Sequence, residues 1–350
     1  KTITTLTAIV DLIDSMAVAK VLIVAPLRVA NSVWHKEAAN WQHTKHLKFS
    51  IVTGSEKERL SALHKTADVY VINRENVSWI VEHYAKKWPF DMIVLDEASS
   101  FKSASSQRFK SLRKTIPFTN RLVELTGTPS PNGLLDIWSQ MYLLDCGERL
   151  GRSMTAYKQR FFETDYSGYK FKPVKSADKI IHKLIDDIVI SLNVDDYLEM
   201  PERIDTVIKV QLPQNRLAEY QQLERDFLTQ INDNDIVAYN AATLAGKLLQ
   251  YCNGAMYTDE LKNWTEIHSA KLDAIDDIIS ENSDENLLIA YNYKTDLIRL
   301  QARYPDAIVL DKEPKTIEQW NKGNIKMLLA HPASCGHGIN LQHGGSIIVW

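Results

Sequence analysis

Short apolar runs separated by polar stretches of helix length recur along the first part of the chain. The runs lie at Val21–Ala25, Val69–Ile72, Met92–Leu95 and Leu122–Leu125. Ahead of the first run, apolar residues recur every three or four positions, at Ile3, Leu6, Val10 and Ile13. This spacing predicts that the chain begins on a helix, and the repeated runs are typical of a parallel sheet wrapped by helices.

A second set of apolar runs occupies the last part of the chain. Its members are Leu287–Ala290, Ala307–Leu310, Met327–Ala330 and Ile347–Trp350. Between the two sets the pattern changes to amphipathic helices, such as Lys179–Ile190 and Leu217–Ile231, with a strand-like stretch at Thr206–Leu212. The chain is therefore predicted to hold two α/β units joined through a largely helical middle.

Composition excludes several classes of protein. The 350 residues are 45% hydrophobic and 24% charged, which is ordinary for a globular protein and sufficient for two or three domains. No apolar stretch approaches the length of a membrane span, so we expect no membrane partner. The three cysteines lie far apart, which argues against a disulfide framework or a zinc ribbon and favours a reducing compartment.

Isolated cysteines and tryptophans are predicted to pack in the core. The cysteines are Cys146, Cys252 and Cys335. The tryptophans predicted to anchor helices against sheets, rather than to stack on bases, are Trp34, Trp41, Trp138 and Trp320.

Positive charge is concentrated in the first half of the chain. The whole chain has a formal net charge of −3, but residues 1–150 carry 19 Lys and Arg against 15 Asp and Glu, and the remainder carries 22 against 29. The segment Ala98–Val123 contains no acidic residue, and residues 149–175 carry seven Lys and Arg against two Asp and Glu. Clustered charge governs phosphate binding more than the total does, although one such run alone is more often a solvated helix face.

Two segments have the residue types that nucleotide chemistry requires. Lys1 and Thr2 precede the first helix, and in a phosphate-binding loop such a Lys reaches the β- and γ-phosphates while the Thr hydroxyl joins the Mg²⁺ shell. Asp96 and Glu97 follow a buried strand, at the end where α/β sheets bind ligands, so Asp96 suits Mg²⁺ and Glu97 suits the attacking water. Taken singly, the first could be an ordinary helix start and the second an acidic pair that caps a strand.

A turn follows the next predicted strand. Gly127 permits a tight turn, and the hydroxyls of Thr126 and Thr128 flank it, which suits phosphate sensing or coupling between domains. Alone it would be an unremarkable turn. It gains significance because it follows the acidic pair on what should be the adjacent strand.

The order of these segments resembles the helicase-like ATPases of superfamily two, and more narrowly the Swi/Snf family of DNA translocases. Seven segments are similar to that family's motifs, in the same order: Lys1–Thr5, Val24–Glu37, Asp96–Lys102, Leu125–Asn132, Leu249–Asn253, Ser269–Leu272 and Gly336–Leu341. Together they extend over nearly the whole chain, so chance agreement of all seven is very improbable.

The resemblance implies an α/β fold with two RecA-like lobes that have parallel sheets, and with helical protrusions between them. Lobe 1, which would bind ATP, is expected at residues 1–145, and a helical protrusion and linker at 146–200. A linker strand and a second protrusion are expected at 201–268, and an incomplete lobe 2 at 269–350.

The resemblance also implies roles for individual residues. Glu97 and Lys1 would be catalytic, ATP would be bound by Lys1, Thr2, Asp96, Gly336 and Gly338, and Mg²⁺ by Thr2 and Asp96. Thr126, Gly127 and Thr128 would couple the lobes. The residues expected to bind double-stranded DNA, with little sequence preference, are Arg28, Lys102, Arg108, Lys110, Arg152, Lys158 and Asn340.

Three functions stay open at this point. The first is ATP-driven translocation on duplex DNA, and the second is strand separation or service as the motor subunit of a restriction or repair complex. The third is an ATP-regulated DNA-binding scaffold with degenerate hydrolysis, because Ser99 stands where the family has His.

The ends and the compact size of the chain carry further expectations. We expect phosphate-loop glycines before Lys1 and an arginine motif after Trp350, so that residues 1–350 alone would hydrolyse ATP very slowly. The short insertions suggest a phage or bacterial protein. We also expect it to lie in the cytoplasm of the bacterial or phage-infected cell, and a nuclease or a replication or repair protein is a possible further partner.

Overall fold

The computed structural model describes most of the chain. The described residues are 1–127, 130, 133–164, 171–192, 204–232, 237–258, 263–311, 313–335 and 339–350, without the side chains of 226–232, 237–242 and 334. The chain divides into two compact units, Lys1–Glu199 and Met200–Trp350.

The first unit is built on a five-stranded parallel sheet. Its strands are β1 (Val21–Ala25), β2 (Phe49–Val52), β3 (Val69–Asn73), β4 (Met92–Asp96) and β5 (Arg121–Leu125). The strands lie in the order β2-β3-β1-β4-β5. All five carboxyl ends therefore point to one edge of the sheet, where ligands of α/β proteins bind.

Helices cover both faces of this sheet. They are α1 (Thr2–Asp14), α2 (Leu27–Ser32), α3 (Trp34–Asn40), α4 (Glu56–Leu63), α5 (Val77–Tyr84), α6 (Gln107–Leu112), α7 (Ile137–Asp145), α8 (Met154–Phe161) and α9 (Ala177–Ile185). An antiparallel hairpin of β6 (Phe162–Thr164) and β7 (Phe171–Pro173) follows α8. Side chains of α8 and α9 are buried in the same apolar cluster as the sheet, so both helices belong to the core of this unit.

Alternation along the strands divides the core of the first unit into two layers. Ile93 and Leu95 of β4 face the layer that includes α5, α6 and α7. Met92 and Val94 face the opposite layer, which is formed with α1 and α3. By the same alternation, Asp96 at the end of β4 lies on the face covered by α1 and α3.

The second unit contains a smaller parallel sheet. Its elements are α10 (Gln214–Asn232), α11 (Val237–Asn253), β8 (Ala255–Tyr257), β9 (Trp264–Glu266), α12 (Ala270–Glu281), β10 (Leu287–Ala290), α13 (Lys294–Arg303), β11 (Ile308–Val309), α14 (Pro314–Asn321), β12 (Met327–Ala330), α15 (Pro332–Cys335) and β13 (Ile347–Val349). The sheet order is β11-β12-β10-β13, and β8 pairs with β9 in an antiparallel hairpin. Over the ranges described, no helix has both the length and the apolar character that crossing a bilayer requires.

The predicted α/β fold class with parallel sheets is confirmed in both units, and the apolar runs mark strands in each. The prediction of a strand at Thr206–Leu212 is wrong, because this stretch has no regular structure and Val207 is 82% exposed. The helix predicted at Lys179–Ile190 ends at Ile185.

The prediction of a core position is also wrong for two residues, Cys146 and Trp41. Cys146 is exposed, because it caps the end of α7 in a left-handed conformation. Trp41 is 45% exposed and donates to Glu37 on the surface. Trp34, Trp138 and Trp320 are buried as predicted.

Candidate functional site

Strand β4 ends in two consecutive carboxylates held by an unusual turn. Glu97 has φ 56 and ψ 57, a left-handed conformation that is uncommon for a residue other than glycine. Its carbonyl oxygen accepts a hydrogen bond from the Ser100 amide at 3.0 Å, at the start of the 3-10 turn Ala98–Phe101. Such a conformation costs about 1–3 kcal/mol and persists only where the surroundings enforce it. The carboxyl edge of the sheet therefore carries a fixed acidic pair.

Asp96 is partly buried and hydrogen-bonded. The Trp34 indole Nε1 donates to Asp96 Oδ2 at 3.0 Å. Burial raises the pKa of Asp96, while the Trp34 hydrogen bond opposes part of that effect and the Glu97 charge adds to it. A nearby cation would therefore stabilise the ionised carboxylate.

Lys1 supplies a positive charge beside Asp96. Its charge lowers the pKa of Asp96, which is a smaller effect than burial. Lys1 Nζ also lies 3.7 Å from the point where a Cβ on Gly127 would stand. Segments that are far apart in sequence thus meet because α1 packs on the Asp96 face of the sheet and because Asp96 pairs with Leu125 in the register of β4 and β5.

The predicted nucleotide residues are thus only partly brought together. Lys1, Asp96 and Gly127 lie close to one another, and Thr2 begins α1 next to Lys1. The N-terminus of α1 contributes partial positive charge there. Thr128, Gly336 and Gly338 lie outside the described residues.

The donor set of this edge fits Mg²⁺ that arrives with a nucleotide. Mg²⁺ is usually held by one or two carboxylates together with substrate phosphates and water, not by a complete protein cage. Across the described ranges, no group of three or more His, Cys, Asp or Glu could hold a metal ion. The Asp96 carboxylate accepts a hydrogen bond from the Trp34 indole, and a carboxylate has about four acceptor positions. Acceptor positions therefore stay available to a metal.

Three of the predicted DNA-binding residues lie at or near the carboxyl edge of the first sheet. Arg28 is on α2, which follows β1. Lys102 follows the Ala98–Phe101 turn, and its Nζ lies 3.9 Å from Asp136 Oδ2. Arg108 donates to the Ser100 carbonyl oxygen at 3.1 Å, and burial followed by the Arg74 charge lowers the pKa of Arg108.

The other four predicted DNA-binding residues are more dispersed. Lys110 is exposed on α6 and Arg152 is exposed ahead of α8. Lys158 Nζ lies 3.9 Å from the ring centroid of Phe171, a cation–π contact. Asn340 belongs to the second unit, where its carbonyl oxygen accepts from Asn321 Nδ2 at 2.8 Å.

Sequence reasoning missed a polar network at the end of β3. Asn73 is buried, donates to Glu75 Oε2 at 2.8 Å and accepts from Asn76 Nδ2 at 2.6 Å. Arg74 Nε donates to Glu75 Oε1 at 3.1 Å. The rule applied to Asp96, a polar residue directly after an apolar strand, would have found Asn73 as well.

In the second unit, two motif segments meet through side chains. Lys271 Nζ donates to Asn253 Oδ1 at 2.7 Å, and Asn253 Nδ2 donates to Asp296 Oδ2 at 3.1 Å. Asp296 also accepts from the Tyr293 amide at 2.9 Å, at the start of α13. The end of α11, the start of α12 and the start of α13 are thereby joined.

Arg299 holds the same region from within. It is 5% exposed and donates to the Asn253 carbonyl oxygen at 2.7 Å, to the His268 carbonyl oxygen at 2.5 Å and to Glu266 Oε1. Gly254 has φ +93 and lies against this guanidinium. The chain turn after α11 therefore requires glycine.

Glu124 of β5 is half-buried, with its carboxyl Oε1 inaccessible to solvent, and lies in register with Leu95 on the α7 side of the sheet. Its Oε1 has no hydrogen-bond partner among the residues that the structure describes, and burial raises the pKa of this carboxyl group well above 4.5. The folded protein therefore keeps this proton where the unfolded chain has lost it, so the free energy of unfolding should fall as pH rises above 4.5 towards the folded pKa.

We expect Glu124→Gln to remove that pH dependence. The variant should be more stable than the wild type at pH 8, by at least about 1 kcal/mol, with a smaller difference at pH 5. Urea unfolding at both pH values measures this. Glu148→Gln, at an exposed position of the same unit, is the control, and equal slopes for wild type and Glu124→Gln would contradict the assignment.

Comparison with known proteins adds the following similarities. The family model described as the SNF2-related domain matches residues 1–257. The chain is 40% identical over 361 residues to protein p41 of Acyrthosiphon pisum secondary endosymbiont phage 1, across 100% of the chain and 78% of that protein. It is 26% identical over 330 residues to an uncharacterized ATP-dependent helicase of Mycoplasma genitalium, across 87% of the chain and 30% of that helicase.

A solved structure is similar as well. The SWI2/SNF2 ATPase core of Sulfolobus solfataricus, in complex with dsDNA, superposes with a TM-score of 0.49 at 19% identity, over 95% of the chain and 71% of that structure. The chain spans less than a third of the Mycoplasma helicase.

Proposed function

The chain belongs to the SNF2-related family, as its motifs predicted, and from this premise we propose that it is the motor core of an ATP-dependent translocase on double-stranded DNA. ATP and Mg²⁺ would be its cofactors. The similarity to an ATP-dependent helicase of Mycoplasma genitalium supports the use of ATP. The similarity to a phage protein supports a phage or bacterial setting.

The observation that carries the proposal is the meeting of Lys1, Asp96 and Gly127 at the carboxyl edge of the first sheet. Lys1 would contact the β- and γ-phosphates, and the amides at the start of α1 would favour their negative charge. Asp96 and Thr2 would hold Mg²⁺, which neutralises charge on the phosphates when bound. Glu97 would orient the attacking water and accept its proton.

Coupling and DNA binding complete the proposal. Thr126, Gly127 and Thr128 would respond to the state of the nucleotide next to Lys1. DNA would be held through its phosphates by basic side chains that include Arg28, Lys102, Lys110 and Arg152, so affinity should fall steeply with salt and depend little on sequence. From the second half of the chain, Asn340 would contribute to DNA binding, and Gly336 and Gly338 to nucleotide binding.

Translocation and strand separation can be told apart directly. The full-length protein with ATP and Mg²⁺ should displace the third strand of a DNA triplex placed along a duplex, without separating the duplex itself. Strand displacement from a forked duplex would favour the helicase alternative instead. Binding of ATP and DNA with neither activity would favour a scaffold, for which Ser99 is the sequence argument.

A further inference from the structure

The hydrogen bond between Trp34 and Asp96 joins the start of α3 to the end of β4, across 62 positions of the sequence. Trp34 begins α3 and is fully buried in the layer shared with α1. We propose that Trp34 is a positioning residue, which fixes the orientation of the Asp96 carboxylate for the Mg²⁺ that accompanies the nucleotide. This inference rests on the ATPase function proposed above.

An aspartate needs such support because its carboxylate rotates easily. The last side-chain torsion of Asp has a broad distribution of angles, unlike the staggered torsions of aliphatic side chains. A donor at 3.0 Å on Oδ2 restricts that rotation, provided the donor itself cannot move. Trp34 meets this condition, since it has no solvent-exposed surface and belongs to the apolar cluster that also contains residues of α1 and β4.

The chemistry of the indole suits this task. An indole has a single N–H donor and no acceptor, so it can fix one carboxylate oxygen without itself competing for a cation. A lysine in its place would put a second positive charge beside the metal, and a serine could rotate away. Partners that orient a metal-binding carboxylate typically change metal affinity or activity by about 10–100-fold when they are removed.

A purely structural role for Trp34 is the alternative, and the chain offers a matched control. Trp138 of α7 is also buried in the first unit, and its Nε1 donates to the Gly151 carbonyl oxygen at 2.9 Å. It belongs to the opposite core layer, away from Asp96. Trp34→Phe and Trp138→Phe each remove one buried indole hydrogen bond and reduce the ring by a similar volume.

The experiment titrates Mg²⁺ against binding of a fluorescent, non-hydrolysable ATP analogue to the full-length protein. We expect Trp34→Phe to require about tenfold more Mg²⁺ for half-maximal binding than wild type. Trp138→Phe should keep the wild-type Mg²⁺ midpoint, even where urea unfolding shows that both variants lose similar stability. Equal Mg²⁺ midpoints for Trp34→Phe, Trp138→Phe and wild type would overturn the inference.

Two further arms keep the outcomes separate. If Trp34→Phe does not fold, benzothienylalanine at position 34 replaces only the ring N–H by sulfur and keeps the shape of the indole. The same shift in the Mg²⁺ midpoint is expected, and its absence would overturn the inference. If wild type itself binds no nucleotide at any Mg²⁺ concentration, the proposed ATPase function fails, and the role of Trp34 fails with it.

Discussion

Replacing Glu97 by glutamine should reduce ATP turnover by about 10²–10⁴-fold while ATP binding persists. The range is that contributed by a positioned general base, and an amide cannot accept the proton of the attacking water. Glutamine has nearly the same shape, and Lys1 and Asp96, which are proposed to bind the nucleotide and its metal, are unchanged. Steady-state hydrolysis by the full-length protein, together with equilibrium binding of an ATP analogue, measures the two effects separately.

The backbone at Glu97 provides a control for this experiment. Glu97→Gly removes the carboxylate but also relieves the left-handed strain, so it should gain about 1 kcal/mol of stability while losing hydrolysis. Glu97→Gln keeps the strain and should unfold at nearly the wild-type urea concentration. Wild-type turnover in either variant would remove Glu97 from its proposed role.

Replacing Gly254 by alanine should destabilise the second unit by about 3 kcal/mol, because the position is incompatible with a side chain in two ways. Its φ is +93, and a Cβ would overlap the His268 carbonyl oxygen and lie 2.9 Å from both terminal nitrogens of Arg299. The guanidinium cannot yield easily, since it is buried and bonded to Asn253, His268 and Glu266.

Gly246→Ala, within the helix α11 that precedes Gly254, is the matched control. Among the described residues, no atom beyond its chain neighbours and the helix's own backbone lies within 4 Å of the position that a Cβ on Gly246 would take, so alanine there should stabilise α11 by up to about 1 kcal/mol. Amide hydrogen exchange should show lost protection in α12 and β10 for Gly254→Ala, with β1 and β4 of the first unit unaffected. Unchanged protection in α12 and β10 would contradict the described packing around Arg299.

The sheets were predictable because buried parallel strands are continuous apolar runs. Val21–Ala25 is both the predicted run and the observed β1. Strand β2 was missed because its apolar run is interrupted by Ser50, which is buried and bonded to the Ala62 carbonyl oxygen at 2.7 Å. At Thr206–Leu212 a strand was predicted that does not form. Alternation of apolar and polar residues favours a strand, but it does not supply a neighbouring strand with which to pair.

The candidate site was predictable where topology alone determines proximity. Asp96 is the last residue of β4 and Gly127 follows the adjacent parallel strand β5, so the carboxyl-end rule places them together. The contact between Trp34 and Asp96 depends on how α3 packs, and no local pattern encodes it. The pairing of Lys271 with Asn253 likewise depends on the turn at Gly254. Side-chain networks of this kind follow from tertiary packing and are not visible in periodicity.

ATP hydrolysis by the full-length protein, compared without DNA, with single-stranded DNA and with duplex DNA of equal length, tests the central claim most directly. A motor on double-stranded DNA should hydrolyse ATP in the presence of Mg²⁺ and turn over faster with duplex than with single strands. Glu97→Gln should abolish the stimulated rate. Equal stimulation by single strands, or no hydrolysis with either DNA, would contradict the account.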